Sequence, residues 1–404
     1  MADEKLFNYY QRQDILPTFG NLKSAAELAA YAEQRHELFS SKLMLPPRMF
    51  LNSDVLEFGP DSGENALVFA GWGANMTLAE PNRQAHPKIQ AYFSQFGRTE
   101  RLRELVLSDV EGFAQARRFD IIDAEGFIYT IQPTETWLGI FHRLLRPDGY
   151  AIISYYERYG GFIELALKAI HAAVKTLTGT SPLETARGLF DAKWDSIPHT
   201  RSFESWLMDV LENPFVRLRY FLDAAKLCET SCAAGFAIHA AWPPYRDGLD
   251  VYWHKRILPG GERLSRDLRH LRRSRLSFLG GRKLYLTGAM DAVDAISSAI
   301  EALVDDVDGM IDAPFGPRLP RVIAGLASLG DMLGTAEILF EEASDKLALR
   351  AAVESFGRIF EAIARKDTAS VTALTRSDPA FIQSWGQPTH FLVLRKQSDE
   401  RERG

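Results

Sequence analysis

The chain is poor in the residues that staple or anchor a protein. Two cysteines in 404 residues, Cys228 and Cys232, exclude a disulfide framework and, by themselves, a zinc site. Their i, i+4 spacing in a helical stretch reads as two small, reduced core residues. No apolar run approaches the roughly 20 residues that span a bilayer. The opening MADEKLFNYYQRQD is acidic and polar, unlike a secretory leader. The expectation is a cytoplasmic protein without a membrane span. An excess of positive charge is also missing: 47 Lys and Arg against 53 Asp and Glu leave a net charge of −6. That excludes a whole-surface nucleic-acid binder and makes DNA an unexpected partner, while leaving room for a local basic patch. No internal repeat is visible. What is present is ordinary for a folded chain: 46% hydrophobic and 25% charged residues, in a length that suits one large domain or two smaller ones.

Residues 1–50 read as helical, with apolar positions at three- and four-residue spacing in LKSAAELAAYAEQRHELFSSKL. From residue 54 short apolar strands alternate with helices. Strands are expected at 55–58, 75–80, 102–109, 119–126 and 150–157, and helices at 63–73, 86–96 and 134–149. That alternation implies right-handed βαβ units and a doubly wound, mostly parallel α/β sheet. Beyond 160 the text is mostly helical, interrupted by a strand at 235–245, a possible strand in DVYWHKRIL, and a last strand at 385–396.

The unit DVLEFGPDSGENALVFAGWGANMTLAEPN (54–82) carries the chemistry. Small residues after a first strand let backbone N–H groups approach a ligand, and the helix that follows favours negative charge at its start. Glu80, 21 residues beyond Gly59, stands where an acid accepts hydrogen bonds from both hydroxyls of a ribose. Either a nicotinamide dinucleotide or an adenosyl cofactor meets these requirements. A pyrophosphate asks for G-x-G-x-x-G, whereas Asp61 occupies the second glycine position here and no glycine stands at the third. An NAD-dependent oxidoreductase is therefore the least favoured reading.

LEFGPDSGENAL and LAEPN resemble the first two motifs of class I S-adenosylmethionine-dependent methyltransferases. VLSDVEGF resembles that family's adenine segment, FDIIDAEGFIYT and LLRPDGYAIIS its fourth and fifth strand motifs, and GQPTHFLVLRK its last, antiparallel strand. The resemblance covers about residues 50–160 in order. It implies a Rossmann-like core at 51–160 after N-terminal helices at 1–50. A helical insertion at 161–234, returning strands at 235–257, a helical domain at 258–384 and a final strand at 385–396 would follow. It implies S-adenosylmethionine as cofactor, with Glu57, Gly59, Asp61, Ser62, Gly63 and Asn65 around the methionine part. Glu80, Pro81 and Asn82 would lie at the ribose, Asp109 and Val110 at the adenine, and Ala124 and Glu125 near the sulfonium. Asp61 departs from the family's glycine; a cofactor with an ammonium and a sulfonium tolerates an acid there, and Asp accepts positive φ more readily than most residues.

Methyl transfer is a displacement at an activated carbon, so the protein mainly positions a nucleophile, with a base where the acceptor is a hydroxyl or ammonium. Candidates for the acceptor side are His199, Glu125 and Tyr156 as proton-handling groups, and Tyr129, Tyr155, Glu157, Trp194, Arg201 and Trp206 as contacts. Tyr9 and Tyr10 are candidates to close over the cofactor. The expected acceptor is the oxygen or nitrogen of a small molecule, such as a carbohydrate, nucleotide-sugar or secondary-metabolite intermediate. WPPY (242–245) is read as a turn, since a gripping motif of that type belongs after the fourth strand and starts with Asp or Asn. RLSRDLRHLRRSR (263–275) places six arginines in thirteen residues, a solvated helix face or else a docking strip for RNA or a protein substrate. A non-catalytic binder of an adenosyl ligand is the third alternative. No metal site is expected, because VDDVDGMID lacks calcium-loop spacing.

Overall fold

The computed structural model describes residues 5–13, 16, 22–199, 201–246 and 260–397. DVYWHKRIL, the candidate strand at 250–258, lies outside the described residues. Two compact units emerge, one of residues 1–155, 225–264 and 390–404 and the other of residues 156–224 and 265–389.

The first unit is built on seven strands: β1 (Asp54–Phe58), β2 (Asn75–Ala79), β3 (Leu102–Val106), β4 (Phe119–Ala124), β5 (Leu145–Tyr156), β6 (Phe236–Trp242) and β9 (Thr389–Lys396). Their order is β3-β2-β1-β4-β5-β9-β6, so the last strand in the chain is inserted between the fifth and sixth. β3 through β5 run parallel across the sheet, and β6 pairs with β9 antiparallel. Four residues in a row of β1 are buried, the unalternating pattern of a parallel strand covered on both faces.

Helices α1 (Leu6–Gln13), α2 (Ala25–Glu37), α3 (Glu64–Gly71), α4 (Ala85–Gln95) and α5 (Thr134–Leu144) belong to this unit. α2 opens on a capping box: Ser24 accepts from the Glu27 N–H and the Glu27 carboxylate reaches back to the Lys23 N–H. Phe39, Phe50, Phe69 and Trp72 pack as one aromatic knot, with Phe50 and Phe69 stacked at 4.9 Å. The knot belongs to one buried cluster with Val55, Ile121, Ile152 and Val393 of the sheet.

Several boundaries differ from the sequence expectation. β3 stops at Val106, which leaves Asp109 in the loop beyond it. The helix expected to run to 149 ends at Leu144, and LRPDG forms an irregular start to β5. There Asp148 takes φ +60° and the β4–β5 register shifts between Phe119 and Ile121. β9 begins at Thr389 rather than 385.

The second unit is a helical bundle. α6 (Phe162–Thr178), α7 (Pro182–Trp194), α8 (Phe203–Trp206), α11 (Met290–Asp312), α12 (Arg318–Thr335), α13 (Ala343–Ala364), α14 (Thr368–Ser377) and α15 (Pro379–Ile382) lie within it. α9 (Ala224–Ala233) lies almost wholly in the first unit, and α10 (Gly260–Gly280) starts in the first unit and continues into the second. Packing runs α6 to α11, α12, α13, α14 and α7, and returns to α6. The region 262–380, expected to be helical almost throughout, also holds a two-stranded antiparallel ribbon, β7 (Leu284–Leu286) with β8 (Ile338–Phe340). Cys228 is buried on α9 and Cys232 is half-buried, and they form no disulfide.

Candidate cofactor and active site

The loop after β1 turns on three positive-φ residues: Gly59 at +61°, Asp61 at +54° and Gly63 at +93°. A Cβ on Gly59 would stand 2.8 Å from the Phe127 ring, so the position requires glycine for space as well as conformation. Asp61 fills its left-handed position as Asp tolerates, and its backbone N–H donates to Glu80 Oε2 at 3.2 Å. Ser62 is buried and donates to the Glu64 carboxylate at 2.8 Å. Asn65 accepts from the Tyr31 hydroxyl through its side-chain oxygen.

Glu80 follows β2 and is buried. Its Oε1 accepts from the Asn82 N–H at 2.7 Å, so the turn Glu80-Pro81-Asn82 holds the carboxylate in place. His86 bonds the Glu80 carbonyl at 2.9 Å. Burial, reinforced by the Asp61 carboxylate and opposed by the Asn82 and Asp61 N–H groups, pushes the Glu80 carboxyl up to about 8. The Asp61 side chain is thus felt at Glu80.

Three more acids meet across the strand ends. Glu57 and Asp123 are register partners on β1 and β4 and are almost fully buried. Neither Asp123 oxygen, nor Glu57 Oε2, has a hydrogen-bond partner among the described residues. Burial first, then the neighbouring Glu125 charge, raises both carboxyls well above their ordinary values; Arg35 pulls the other way. Glu125, expected to handle a proton, is instead held by Arg35 through both guanidinium nitrogens, one at 2.9 Å. Arg35 is itself buried and lies over the Phe39 ring at 4.7 Å. Glu125 thus balances the buried Arg35 charge.

Asp109 accepts from the Gly112 N–H at 2.8 Å and from Lys5, which also meets Glu111. Burial would raise its carboxyl, but Lys5 and the Gly112 N–H outweigh that and hold it below the usual range. Val110 beside it is buried. From α1, Gln11 reaches the Asn82 side chain at 3.4 Å, so Lys5 and α1 together touch two loops of this edge. Tyr9 is buried on α1, with its ring 5.5 Å from that of Tyr10.

The acceptor-side candidates divide between the units. In the first, Ala124 pairs with Ile153, and Tyr129 and Tyr155 are buried. The Tyr155 hydroxyl bonds that of Tyr245, which bonds His390 Nδ1 at 2.7 Å. In the second, Tyr156 stacks on Phe221 at 5.0 Å. Glu157 is buried and its Oε2 accepts from the Tyr159 and Gly160 N–H groups at 2.7 Å, which makes it the cap of its own turn. Trp194, Phe203 and Trp206 pack on one another, and Arg201 pairs with Asp209 at 2.5 Å. His199, expected as a proton acceptor, is exposed, stacks on Trp194 at 4.4 Å and bonds the Ile197 carbonyl at 3.2 Å.

The arginine run on α10 is not a uniform strip. Arg275 pairs with Asp223 at 2.9 Å and covers the Tyr159 ring at 4.4 Å. Arg273 donates to the Leu286 and Gly288 carbonyls. Sequence reasoning missed Arg35, Lys5, Asp123, Tyr245 and His390. Only Asp123 had a local signal, as the last acid of FDIID; the others come from chain far from the motifs they serve.

The residues fit an adenosyl cofactor that bears two positive centres. Unpartnered buried carboxylate oxygens on Glu57 and Asp123 call for cationic or donor groups, and Gly59 keeps the loop open beside them. No group of three or more His, Cys, Asp or Glu among the described residues is arranged to hold a metal ion. The parallel sheet with its last strand inserted between the fifth and sixth defines the class I methyltransferase fold. The family model described as methyltransferase domain matches residues 31–241, just over half of the chain. The chain belongs to this family of S-adenosylmethionine-dependent methyltransferases.

No curated protein matches the chain. Among solved structures it is similar to the 1,6-didemethyltoxoflavin-N1-methyltransferase of Burkholderia thailandensis, at 21% identity over 38% of this chain and 59% of that one, with a TM-score of 0.27. It is similar to PKMT2 of Rickettsia typhi at 18% identity over 52% and 43%, with a TM-score of 0.37. Similarity to the glycopeptide N-methyltransferase MtfA is 19% over 31% and 54%, with a TM-score of 0.27. The chain thus spans about half the length of these structures. No described helix is long and apolar enough to cross a membrane.

Proposed function

We propose that this protein transfers the methyl group of S-adenosylmethionine to an oxygen or nitrogen of a small-molecule acceptor. The observation that carries the reading is the set of buried acids at one sheet edge: Glu57 and Asp123 with unpartnered oxygens, beside Glu80 held by its own turn. In this reading Gly59, Asp61, Ser62, Gly63 and Asn65 form the methionine loop, with Glu57 serving its ammonium. Glu80, Pro81 and Asn82 bind the ribose. Asp109 and Val110 bind the adenine once Lys5 yields or shares the carboxylate. Ala124 and Glu125 border the methyl group, Glu125 through its charge balance with Arg35.

The cofactor supplies a methyl carbon activated by a sulfonium, so the chain's task is to bind, orient and deprotonate the acceptor. Tyr129 and Tyr155 of the first unit are assigned to acceptor recognition. Two of the six arginines on α10 are engaged by carbonyls and by Asp223, which favours a small acceptor over RNA. The test is transfer of labelled methyl from S-adenosylmethionine into three separate pools: a small-molecule extract, total RNA and denatured protein. Label in the small-molecule pool supports the reading; label confined to RNA or protein overturns the acceptor class.

A further inference from the structure

Three polar side chains from three separate parts of the first unit meet at one corner of the sheet. Tyr155 is the penultimate residue of β5, Tyr245 follows β6 by three residues, and His390 is the second residue of β9. Trp242 pairs with Phe391, so the end of β6 and the start of β9 share that corner. The Tyr155 and Tyr245 hydroxyls bond each other, and the Tyr245 hydroxyl bonds His390 Nδ1 at 2.7 Å. Exposures of 1%, 2% and 0% put the whole chain of groups in the interior. The rings are in contact as well, with Tyr155 and Tyr245 at 5.8 and 5.7 Å from the imidazole.

Packing alone gives no reason for hydroxyls here. The neighbouring Ile153 and Leu392 are fully buried and apolar, and phenylalanine would fill the two tyrosine positions. Burying two hydroxyls and the imidazole Nδ1 is tolerated because these three atoms bond one another in series. The corner also adjoins the end of the sheet where ligands bind in parallel α/β folds. Tyr155 lies two residues beyond Ile153, the register partner of Ala124, and Ala124 closes β4 next to the acid cluster.

We infer that Tyr155, Tyr245 and His390 form a proton relay for the acceptor, with Tyr155 meeting the acceptor and Tyr245 and His390 as positioning residues behind it. This rests on the methyl-transfer reading and adds the route by which the acceptor's proton leaves. The acceptor O–H or N–H gives its proton to Tyr155 Oη, Tyr155 passes its own proton to Tyr245 Oη, and Tyr245 passes its proton to His390 Nδ1. Three bonds to hydrogen break and three form, both phenols stay neutral, and the positive charge ends on the imidazolium. The acceptor keeps the electron pair that forms its new bond to carbon. The relay requires His390 to be neutral beforehand, with its proton on Nε2 and Nδ1 accepting.

Two measurements on the full chain test this. Nitrogen-15 NMR of histidine-labelled protein reads His390 directly. The relay predicts an unprotonated, hydrogen-bonded Nδ1 whose signal shifts in Tyr245→Phe; a protonated Nδ1 overturns it without any variant. The second is the rate of labelled methyl transfer from S-adenosylmethionine into a small-molecule extract. His390→Gln retains an acceptor for the Tyr245 hydroxyl but cannot store a proton. It is expected to slow transfer about 100-fold with S-adenosylhomocysteine affinity unchanged, as is Tyr245→Phe. Transfer by His390→Gln at the wild-type rate overturns the relay while leaving methyl transfer standing. Absence of transfer by the wild type itself is the failure of the functional reading.

Discussion

Arg35 and Glu125 form a buried, two-pronged ion pair at the heart of the acid cluster, with Arg35 only 6% exposed. Arg35 comes from α2 and Glu125 directly follows β4, so the pair ties the N-terminal helices to the loop beside Glu57 and Asp123. Without the guanidinium, the acids are left to face one another in a dry interior. Arg35→Ala is expected to destabilise the protein by about 3 kcal/mol in denaturant titrations. The loss should grow as pH rises and the acids are forced to ionise. A variant of wild-type stability would show that the pair contributes nothing.

Glu80 makes both stability and cofactor binding depend on pH. Its folded-state carboxyl stands at about 8 against an ordinary value of 4.5, chiefly through burial. The folded protein therefore holds a proton that the unfolded chain has lost, and this contribution to stability is complete below pH 4.5 and disappears as pH rises through about 8. Ribose hydroxyls donate to the ionised form, so S-adenosylhomocysteine affinity should rise with pH across the same window. Glu80→Gln should remove this component of both slopes; retention of both in calorimetry would assign them to other groups.

Lys5 occupies the carboxylate expected to receive the adenine. The pair is partly exposed, and such pairs contribute at most about 1 kcal/mol. Lys5→Ala should therefore tighten S-adenosylhomocysteine binding by no more than about fivefold, whereas Asp109→Ala should weaken it. If both substitutions weaken binding, Lys5 assists the cofactor instead of competing with it.

Gly59 tests the loop itself. With φ at +61° and the Phe127 ring 2.8 Å from any Cβ, Gly59→Ala should destabilise by about 1–3 kcal/mol and depress cofactor affinity. Adding Phe127→Ala should recover part of the loss, because it removes the clash but not the backbone strain. Full recovery, measured as a double-mutant cycle, would mean that conformation is unimportant there.

The strands β1 to β5 along the chain were legible because apolar runs and turn residues repeat locally, with strand starts 17 to 27 positions apart. The final strand at 389–396 was legible for the same reason, though 146 residues separate it from the end of β6. Register was not legible: LRPDG looks like a helix stop, yet Asp148 adopts positive φ and the segment joins β5. The charge balance of the site was hidden as well. Arg35 looks like any arginine on an amphipathic helix until α2 is folded over β4. Tyr245 read as part of a turn, since nothing near WPPY points to His390, 145 residues away. His199 attracted attention as a histidine in a polar stretch, and its place on the Trp194 ring depends on a local fold that residue type does not report.

Calorimetric titration of S-adenosylmethionine into the full chain, wild type against Glu80→Ala, tests the central claim most directly. One equivalent should bind to the wild type, and loss of the ribose acid should weaken binding at least about tenfold, the equivalent of one charged hydrogen bond. Equal affinities in the two proteins, or no binding to the wild type, would contradict the assignment of this edge as the cofactor site.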